Sequence, residues 1–224
     1  MNIYPAEIHE FEDLTALIRE VGFLPLLENP VHGFSAEEIA AEECRYHWYS
    51  DGSFYWPIWE WKGPAIQHTP CVYGKFYEGR AGFVSMEWWP DLMNYRRSKR
   101  PYPAENSVER VILDVLELNG AIITRDLRKA CGFTGPKMRS RFDSYVTKLQ
   151  MDCRIVTQDF VYAKTKLGER YGWGLALLNT PENQIGRNAC QCDRTPEESF
   201  ERILQHLKKI LPNADEKDIR KIIE

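Results

Sequence analysis

Apolar residues recur at spacings of three and four along residues 10–21, which predicts an amphipathic helix. Gly22 follows directly, and glycine at that position favours helix termination. Ser35 and Glu38 have the Ser-x-x-Glu spacing of a capping box, so a second, short helix is predicted to begin at Ala36.

The pattern changes between residues 46 and 89, where six of the seven tryptophans are interleaved with glycine and proline. This composition is typical of strands and turns. The strongest hairpin signal pairs residues 71–77 with residues 81–85 across a short turn. Residues 94–106 contain basic residues and two prolines without apolar periodicity, so they are predicted to form a linker.

The elements predicted after this linker follow the order of a winged helix-turn-helix. A first helix spans about residues 108–119, Thr124 caps a short second helix, and a third helix begins near Pro136. Two strands, at residues 154–161 and 171–178, then flank a polar loop.

The C-terminal part carries two further helix signals. Thr195 precedes Pro196 and two glutamates, a strong helix start, and another helix begins near Asp215. The predicted fold class is therefore α+β. It comprises a Trp-rich helix and β-hairpin segment over residues 1–100, a winged helix-turn-helix domain over residues 101–182, and a C-terminal helical appendage over residues 183–224.

The composition is that of a globular protein: 43% of the 224 residues are hydrophobic and 28% are charged. No apolar run approaches the ~20 residues that cross a bilayer, so no membrane span is expected. The first ten residues lack the basic start and apolar block of a secretory signal, which favours a cytoplasmic location. The six cysteines are then expected to be reduced thiols.

Basic residues are concentrated in one part of the chain. Residues 96–148 contain twelve Lys and Arg against six Asp and Glu, a net charge of +6, whereas the whole chain carries −4. A basic module inside an acidic chain indicates a localised polyanion site, and a solvated basic helix face is the alternative.

The third predicted helix of this module has a cationic edge beside an apolar stripe, with Lys137, Arg141, Ser144 and Lys148 on one face. A recognition helix has this pattern, because its apolar side anchors it while Lys and Arg contact phosphates and base edges. A protein-interaction module is the alternative. The candidate nucleic-acid contacts, including two in the loop between the strands, are Lys137, Arg139, Arg141, Lys148, Lys164 and Lys166.

Two x₂-spaced pairs of Cys and His could supply a tetrahedral zinc site, namely Cys44, His47, His68 and Cys71. Such residues often serve packing instead, and no metal site is predicted. The sequence has no phosphate-binding glycine loop and no hydrolase or zincin motif, so no cofactor is expected.

Trp59 and Trp61 are the candidate stacking residues. Their alternate spacing places both rings on one face of a predicted strand, where aromatic rings can stack on nucleic-acid bases. The alternative is that these tryptophans fill a small core.

Several motifs together resemble one family. They are Trp-Glu-Trp-Lys-Gly-Pro at 59–64, Tyr-Gly-Lys-Phe at 73–76, Gly-Arg-Ala-Gly-Phe-Val-Ser at 79–85, Glu-Trp-Trp-Pro-Asp at 87–91, Asn-Tyr-Arg-Arg at 94–97 and Tyr-Gly-Trp-Gly at 171–174. With the winged unit, they resemble the short AlkZ-related winged-helix proteins, relatives of the AlkZ/YcaQ crosslink-repair DNA glycosylases. The resemblance covers most of the chain.

The resemblance implies a catalytic triplet of Gln, an aliphatic residue, and Gln or Asp, which Gln150-Met151-Asp152 matches. In an extended segment, Gln150 and Asp152 lie on the same side and could hold a water against the sugar carbon as positive charge develops. The full-length enzymes carry this triplet early in the chain, whereas here it follows the third helix of the winged unit. The alternative is that both residues simply end that helix.

These features predict a protein that binds double-stranded DNA, including damaged DNA, through the winged unit. The alternatives are a DNA glycosylase of the AlkZ/YcaQ type that uses Gln150 and Asp152, and a non-catalytic protein-interaction module. The oligomeric state stays open, as does the question of whether the C-terminal helices cover the recognition helix.

Overall fold

The computed structural model describes residues 4–135, 137–168 and 170–224. It is a mixed α+β protein with small antiparallel sheets, built around two buried hydrophobic clusters. None of the described helices is long and apolar enough to cross a membrane.

The first cluster is built on a three-stranded antiparallel sheet, in which the strand Arg80–Ser85 lies between Phe23–Pro25 and Cys71–Tyr77. The short strands His47–Trp48 and Phe54–Tyr55 pair in a separate hairpin. The predicted first helix, the helix at Ala36 and the main hairpin are confirmed. Ser35 accepts a hydrogen bond from the Glu38 backbone nitrogen at 3.2 Å, as its capping role requires. The elements are α1 (Phe11–Val21), β1 (Phe23–Pro25), α2 (Ala36–Ile39), β2 (His47–Trp48), β3 (Phe54–Tyr55), α3 (Pro57–His68), β4 (Cys71–Tyr77), β5 (Arg80–Ser85) and α4 (Trp89–Lys99).

The prediction of strands throughout the tryptophan-rich segment is wrong at α3. Pro57 occupies the first turn of this helix, where its missing N–H costs no hydrogen bond. Trp59 and Trp61 therefore lie on a helix, and residues two apart on a helix point in different directions. The fully buried Lys62 also belongs to α3, and a buried lysine obscures the hydrophobic pattern of the helix.

The predicted linker is wrong in its first half, because residues 94–99 belong to α4. This helix buries Tyr95 and Arg96, and Arg96 is only 3% exposed. A hydrophobic pattern counts arginine as a surface residue, so the inner face of α4 is not visible in the sequence.

The second cluster lies among three helices and a three-stranded antiparallel sheet in the order β6-β8-β7. The predicted succession of three helices and two strands is confirmed. Thr124 is the first residue of its helix rather than the cap, and its hydroxyl donates to the Ala176 carbonyl at 2.9 Å. Pro136, the predicted start of the third helix, lies outside the described residues. The elements are α5 (Val108–Asn119), β6 (Ile122–Ile123), α6 (Thr124–Ala130), α7 (Met138–Met151), β7 (Val156–Lys164) and β8 (Arg170–Asn179).

The C-terminal helices α8 (Pro181–Ile185), α9 (Pro196–Ile210) and α10 (Glu216–Ile223) complete the fold. The predicted start at Thr195 is confirmed, because Thr195 and Glu198 form a capping box. Helix α9 packs on α4, and α10 packs on α9 and β4. Ile203, Leu204 and Leu207 of α9 are buried in the first cluster. The C-terminal helices are therefore part of the core formed by the N-terminal segment.

Two buried charges of α4 hold these helices in place. Asp91 is 1% exposed and pairs with both Arg194 and Arg202. Arg96 donates hydrogen bonds at 2.7–3.2 Å to four backbone carbonyls, those of Phe76, Met151, Ile222 and Ile223. Arg96 thus connects the C-terminal helix to β4 and to the end of α7.

Candidate nucleic-acid interface

Helix α7 is anchored by one side and exposed on the other. Phe142, Val146 and Leu149 are buried in the second cluster, so the predicted apolar stripe is confirmed there. Met138, predicted at the start of the stripe, is exposed. The predicted cationic edge is solvent-exposed at its basic positions, which are Lys137, Arg141 and Lys148. Arg139, the other predicted contact of this helix, is exposed on a different face.

Two of these four cations have carboxylate partners. Lys148 Nζ lies 2.8 Å from a glutamate carboxylate of α5, and this hydrogen bond raises the pKa of Lys148. Arg139 Nε lies 3.8 Å from Asp143 Oδ2 in an exposed pair, which is a weak interaction. In the part of the chain that the structure describes, Lys137 and Arg141 have no carboxylate within 4.0 Å. These two side chains are therefore the most available to an external anion.

The β7–β8 hairpin carries the remaining predicted basic contacts. Lys164 is the last residue of β7 and Lys166 lies in the connecting loop, and both are exposed. Arg170 begins β8, with its guanidinium carbon 5.2 Å from the centroid of the Tyr162 ring. The hairpin thus presents a second group of cations.

An exposed aromatic surface lies beside this hairpin and was not predicted. Gly172 and Gly174 of β8 have φ angles of 78° and 71°, a conformation that favours glycine. Between them, Trp173 is 50% exposed and stacks on Phe54 with ring centroids 4.7 Å apart. Phe54 in turn stacks against Trp48 at 6.3 Å. The sequence signal for this surface is the tryptophan between two glycines.

Trp59 and Trp61, the predicted stacking residues, are only partly exposed. Trp59 stacks on Trp56 with ring centroids 4.9 Å apart, and Trp61 packs edge-on against Phe11 at 6.3 Å. Both rings pack against the first hydrophobic cluster. Base stacking by Trp59 or Trp61 stays a prediction.

The structure does not bring the alternative zinc ligands together. Cys44 Sγ donates to the His9 carbonyl at 3.1 Å, and Cys71 Sγ donates to the Ala65 carbonyl at 3.8 Å. No group of three or more close ligand atoms among the described residues includes His47, His68 or either thiol. Among the described residues, one group of three potential ligands lies within 4.8 Å of one another, and it consists of Glu28, His32 and Glu38.

The Gln-Met-Asp triplet is helical at its start, so the expectation of an extended segment is wrong. Gln150 and Met151 are the last residues of α7, and Asp152 is the C-cap. Gln150 is 3% exposed, and its Oε1 accepts a hydrogen bond from the backbone nitrogen of Lys75 at 3.0 Å. Asp152 is 5% exposed and forms an ion pair with Arg100.

Gln150 and Asp152 have different surroundings. Asp152 lines a cavity of about 240 Å³ together with Arg96 and Lys99 of α4, and Gln150 does not line it. The hydrogen bond of Gln150 instead connects the end of α7 to β4. The ion pair of Asp152 connects the same end of α7 to the residue that follows α4. This arrangement fits the alternative in which the two residues end a helix.

An Asp152→Asn variant is therefore expected to lose about 1 kcal/mol of unfolding free energy, because Arg100 loses its charged partner at a site where the carboxylate is buried. The loss is small because Arg100 is half-exposed. Urea unfolding measures this loss of stability. The control is Asp143→Asn, in the exposed ion pair of α7, which is expected to change stability by less than about 0.5 kcal/mol. Equal stabilities of the two variants would contradict the structural role.

The family model described as AlkZ related matches residues 8–224, almost the whole chain. The chain belongs to the AlkZ-related family. Neither the curated proteins nor the solved structures contain a significant match to it. The resemblance noted in the sequence is thereby confirmed, and membership of the AlkZ-related family links the chain to relatives of DNA-repair glycosylases.

Proposed function

We propose that this AlkZ-related protein binds double-stranded DNA through a winged helix-turn-helix composed of α5, α6, α7 and the β7–β8 hairpin. The observation that carries the proposal is the exposed cationic side of α7, opposite a side buried in a compact core. A helix anchored in this way can enter the major groove while its basic side chains contact phosphates.

The proposed contacts differ in their availability. Lys137 and Arg141 form no ion pair among the described residues, so they can contact a phosphate directly. Lys148 must first break its ion pair with a glutamate of α5. Lys164 and Lys166 of the hairpin contact the backbone beside the groove. Such contacts position the protein without reading sequence, so they supply the salt-dependent part of the affinity.

A Lys137→Ala/Arg141→Ala double variant is expected to lower the affinity for duplex DNA and to flatten the dependence of log K on log salt by up to about 0.9 per residue. The change is expected to be similar for duplexes of different sequence, because phosphate contacts carry no base information. Fluorescence anisotropy across a salt series measures both quantities.

The matched control is Lys209→Ala/Lys217→Ala, which removes two exposed lysines from α9 and α10 and changes the net charge equally. This control is expected to leave the salt slope within error of the unmodified protein. The same slope in both double variants, or no binding by the unmodified protein at low salt, would exclude α7 as the interface.

Membership of the AlkZ-related family also supports base excision as a second candidate function. That reaction requires Gln150 and Asp152 to leave Lys75 and Arg100 when DNA binds, so that both face the same water. The unmodified protein would then release a base from an alkylated or crosslinked duplex, and the rate of release would fall by roughly 10²–10⁴ in Asp152→Asn. Both results together would establish base excision. Equal release by the unmodified protein, Asp152→Asn and Gln150→Ala would exclude it.

A further inference from the structure

A pocket of about 420 Å³ lies where α4, α5, the residues before β7 and α8 meet. Its volume falls within the range of small-molecule sites. The residues that characterise its lining are Arg97, Tyr102, Arg154, Glu182, Asn183 and Arg187. Three of these six side chains are arginines, drawn from separate parts of the chain.

Arg154 is a buried cation with little compensation. It is 7% exposed, and its Nη2 donates to the Arg100 carbonyl at 3.0 Å. Its guanidinium carbon lies 4.8 Å from the centroid of the Tyr102 ring. No carboxylate lies within 4.0 Å of it in the described parts of the chain. Burial, together with the nearby charge of Arg97, lowers the pKa of Arg154, and an uncompensated buried charge is costly.

Arg97 is neutralised within the protein but is not fully hydrogen-bonded. Its Nη1 donates to Glu182 Oε1 at 2.5 Å and its Nη2 to the Cys153 carbonyl at 2.8 Å. The Nε atom is buried and has no partner among the described residues. Glu182 is the ion-pair partner of Arg97, whereas Arg154 has no ion pair of its own among the described residues. The nearby charges of Asp152 and Glu182 offset only part of the effect of its burial.

Arg187 supplies a second uncompensated charge in the same pocket. It is exposed, and it has no ion pair in the described residues. Glu117 also lines the pocket, where its carboxylate accepts a hydrogen bond from the Tyr102 hydroxyl at 3.0 Å. The guanidinium groups of the pocket without an ion pair among the described residues are therefore those of Arg154 and Arg187. Such groups bind oxyanions through pairs of parallel hydrogen bonds.

We propose that this pocket binds a phosphate monoester, with Arg154 and Arg187 as the ligands of the phosphate oxygens. A phosphate dianion compensates both guanidinium groups, whereas a monocarboxylate compensates one. Tyr102 and Asn183 also line the pocket, where they would adjoin the organic part of the ligand. The inference is independent of the proposed DNA interface, because neither α7 nor the hairpin loop contributes a residue to the pocket lining.

Calorimetric titration of the full chain tests the proposal with three probes: inorganic phosphate, deoxyadenosine 5′-monophosphate and acetate. Saturable binding of phosphate or of the nucleotide is expected, and acetate is expected to bind at least tenfold more weakly. Tighter binding of the nucleotide than of inorganic phosphate assigns the site to a nucleotide. Equal binding, or tighter binding of inorganic phosphate, would overturn the assignment to a monoester.

An Arg187→Gln variant is expected to weaken phosphate binding at least tenfold, since a charge-assisted hydrogen bond is lost. Arg187 is exposed, so this variant is expected to fold as the unmodified protein does. The control Arg19→Gln removes an exposed arginine of α1, outside the pocket, and is expected to leave binding unchanged. No saturable binding of phosphate or nucleotide at millimolar concentration would overturn the proposal, as would equal affinities of the Arg187→Gln and unmodified proteins.

Discussion

An Arg96→Met variant is expected to lose about 3–5 kcal/mol of unfolding free energy, the range for breaking a buried polar network. Arg96 is 3% exposed and donates to four backbone carbonyls on three separate elements. Methionine fills much of the same volume but donates no hydrogen bond, so buried carbonyl oxygens are left without partners. Because two of those carbonyls belong to α10, we expect the C-terminal helix to detach first.

Urea unfolding gives the stability, and hydrogen exchange of residues 216–223 reports on the helix. Lys99→Met is the control, since it removes an exposed cation from the same helix and is expected to change stability by less than about 0.5 kcal/mol. An Arg96→Met protein as stable as this control would show that the carbonyls find other donors.

A Lys62→Met variant is expected to gain about 1–4 kcal/mol of unfolding free energy at pH 7. This is the range observed when a hydrophobic residue replaces a poorly compensated buried charge. Lys62 is fully buried, and its Nζ donates a hydrogen bond to the Trp59 carbonyl at 2.8 Å. The ammonium also lies 3.9 Å from the Trp59 ring centroid and 4.5 Å from that of Phe160. These cation–π contacts offset part of the cost of burial.

The pH dependence follows from the same lysine. Burial lowers the pKa of Lys62 from 10.5 to about 8, although the nearby charge of Glu60 opposes the shift. Between pH 8 and 10.5 the unfolded chain binds a proton that the folded chain has released, so the stability of the unmodified protein rises with pH. The rise is roughly 3 kcal/mol for a shift of this size. Below pH 8 the folded and unfolded chains both hold the proton, so Lys62 does not make the stability depend on pH.

The advantage of Lys62→Met over the unmodified protein should therefore shrink as the pH rises from 8 to 10.5. Urea unfolding of both proteins at pH 7 and pH 10 measures the difference, with the exposed Lys209→Met as the control. A stability difference that does not change between these pH values would show that Lys62 titrates normally.

Local signals predicted a large part of the secondary structure. The capping residues Ser35 and Thr195 mark the starts of α2 and α9, because the hydrogen bonds that begin a helix join residues three apart in sequence. The main hairpin and the succession of three helices and two strands after residue 107 are confirmed for the same reason, since their apolar patterns match the period of each element. Helices α3 and α4 were missed because Lys62 and Arg96 are buried, which hydrophobic periodicity does not anticipate.

The family, most of the elements and the cationic edge of α7 are predictable from the sequence, because they depend on residues close together along the chain. Which polar groups meet depends instead on how the elements pack. This packing directs Gln150 to the backbone of Lys75 and Asp152 to Arg100, and it assembles Arg97, Arg154 and Arg187 in one pocket. Such contacts span tens of residues along the chain, and they form only where packed elements exclude water and leave a buried donor or charge to be compensated.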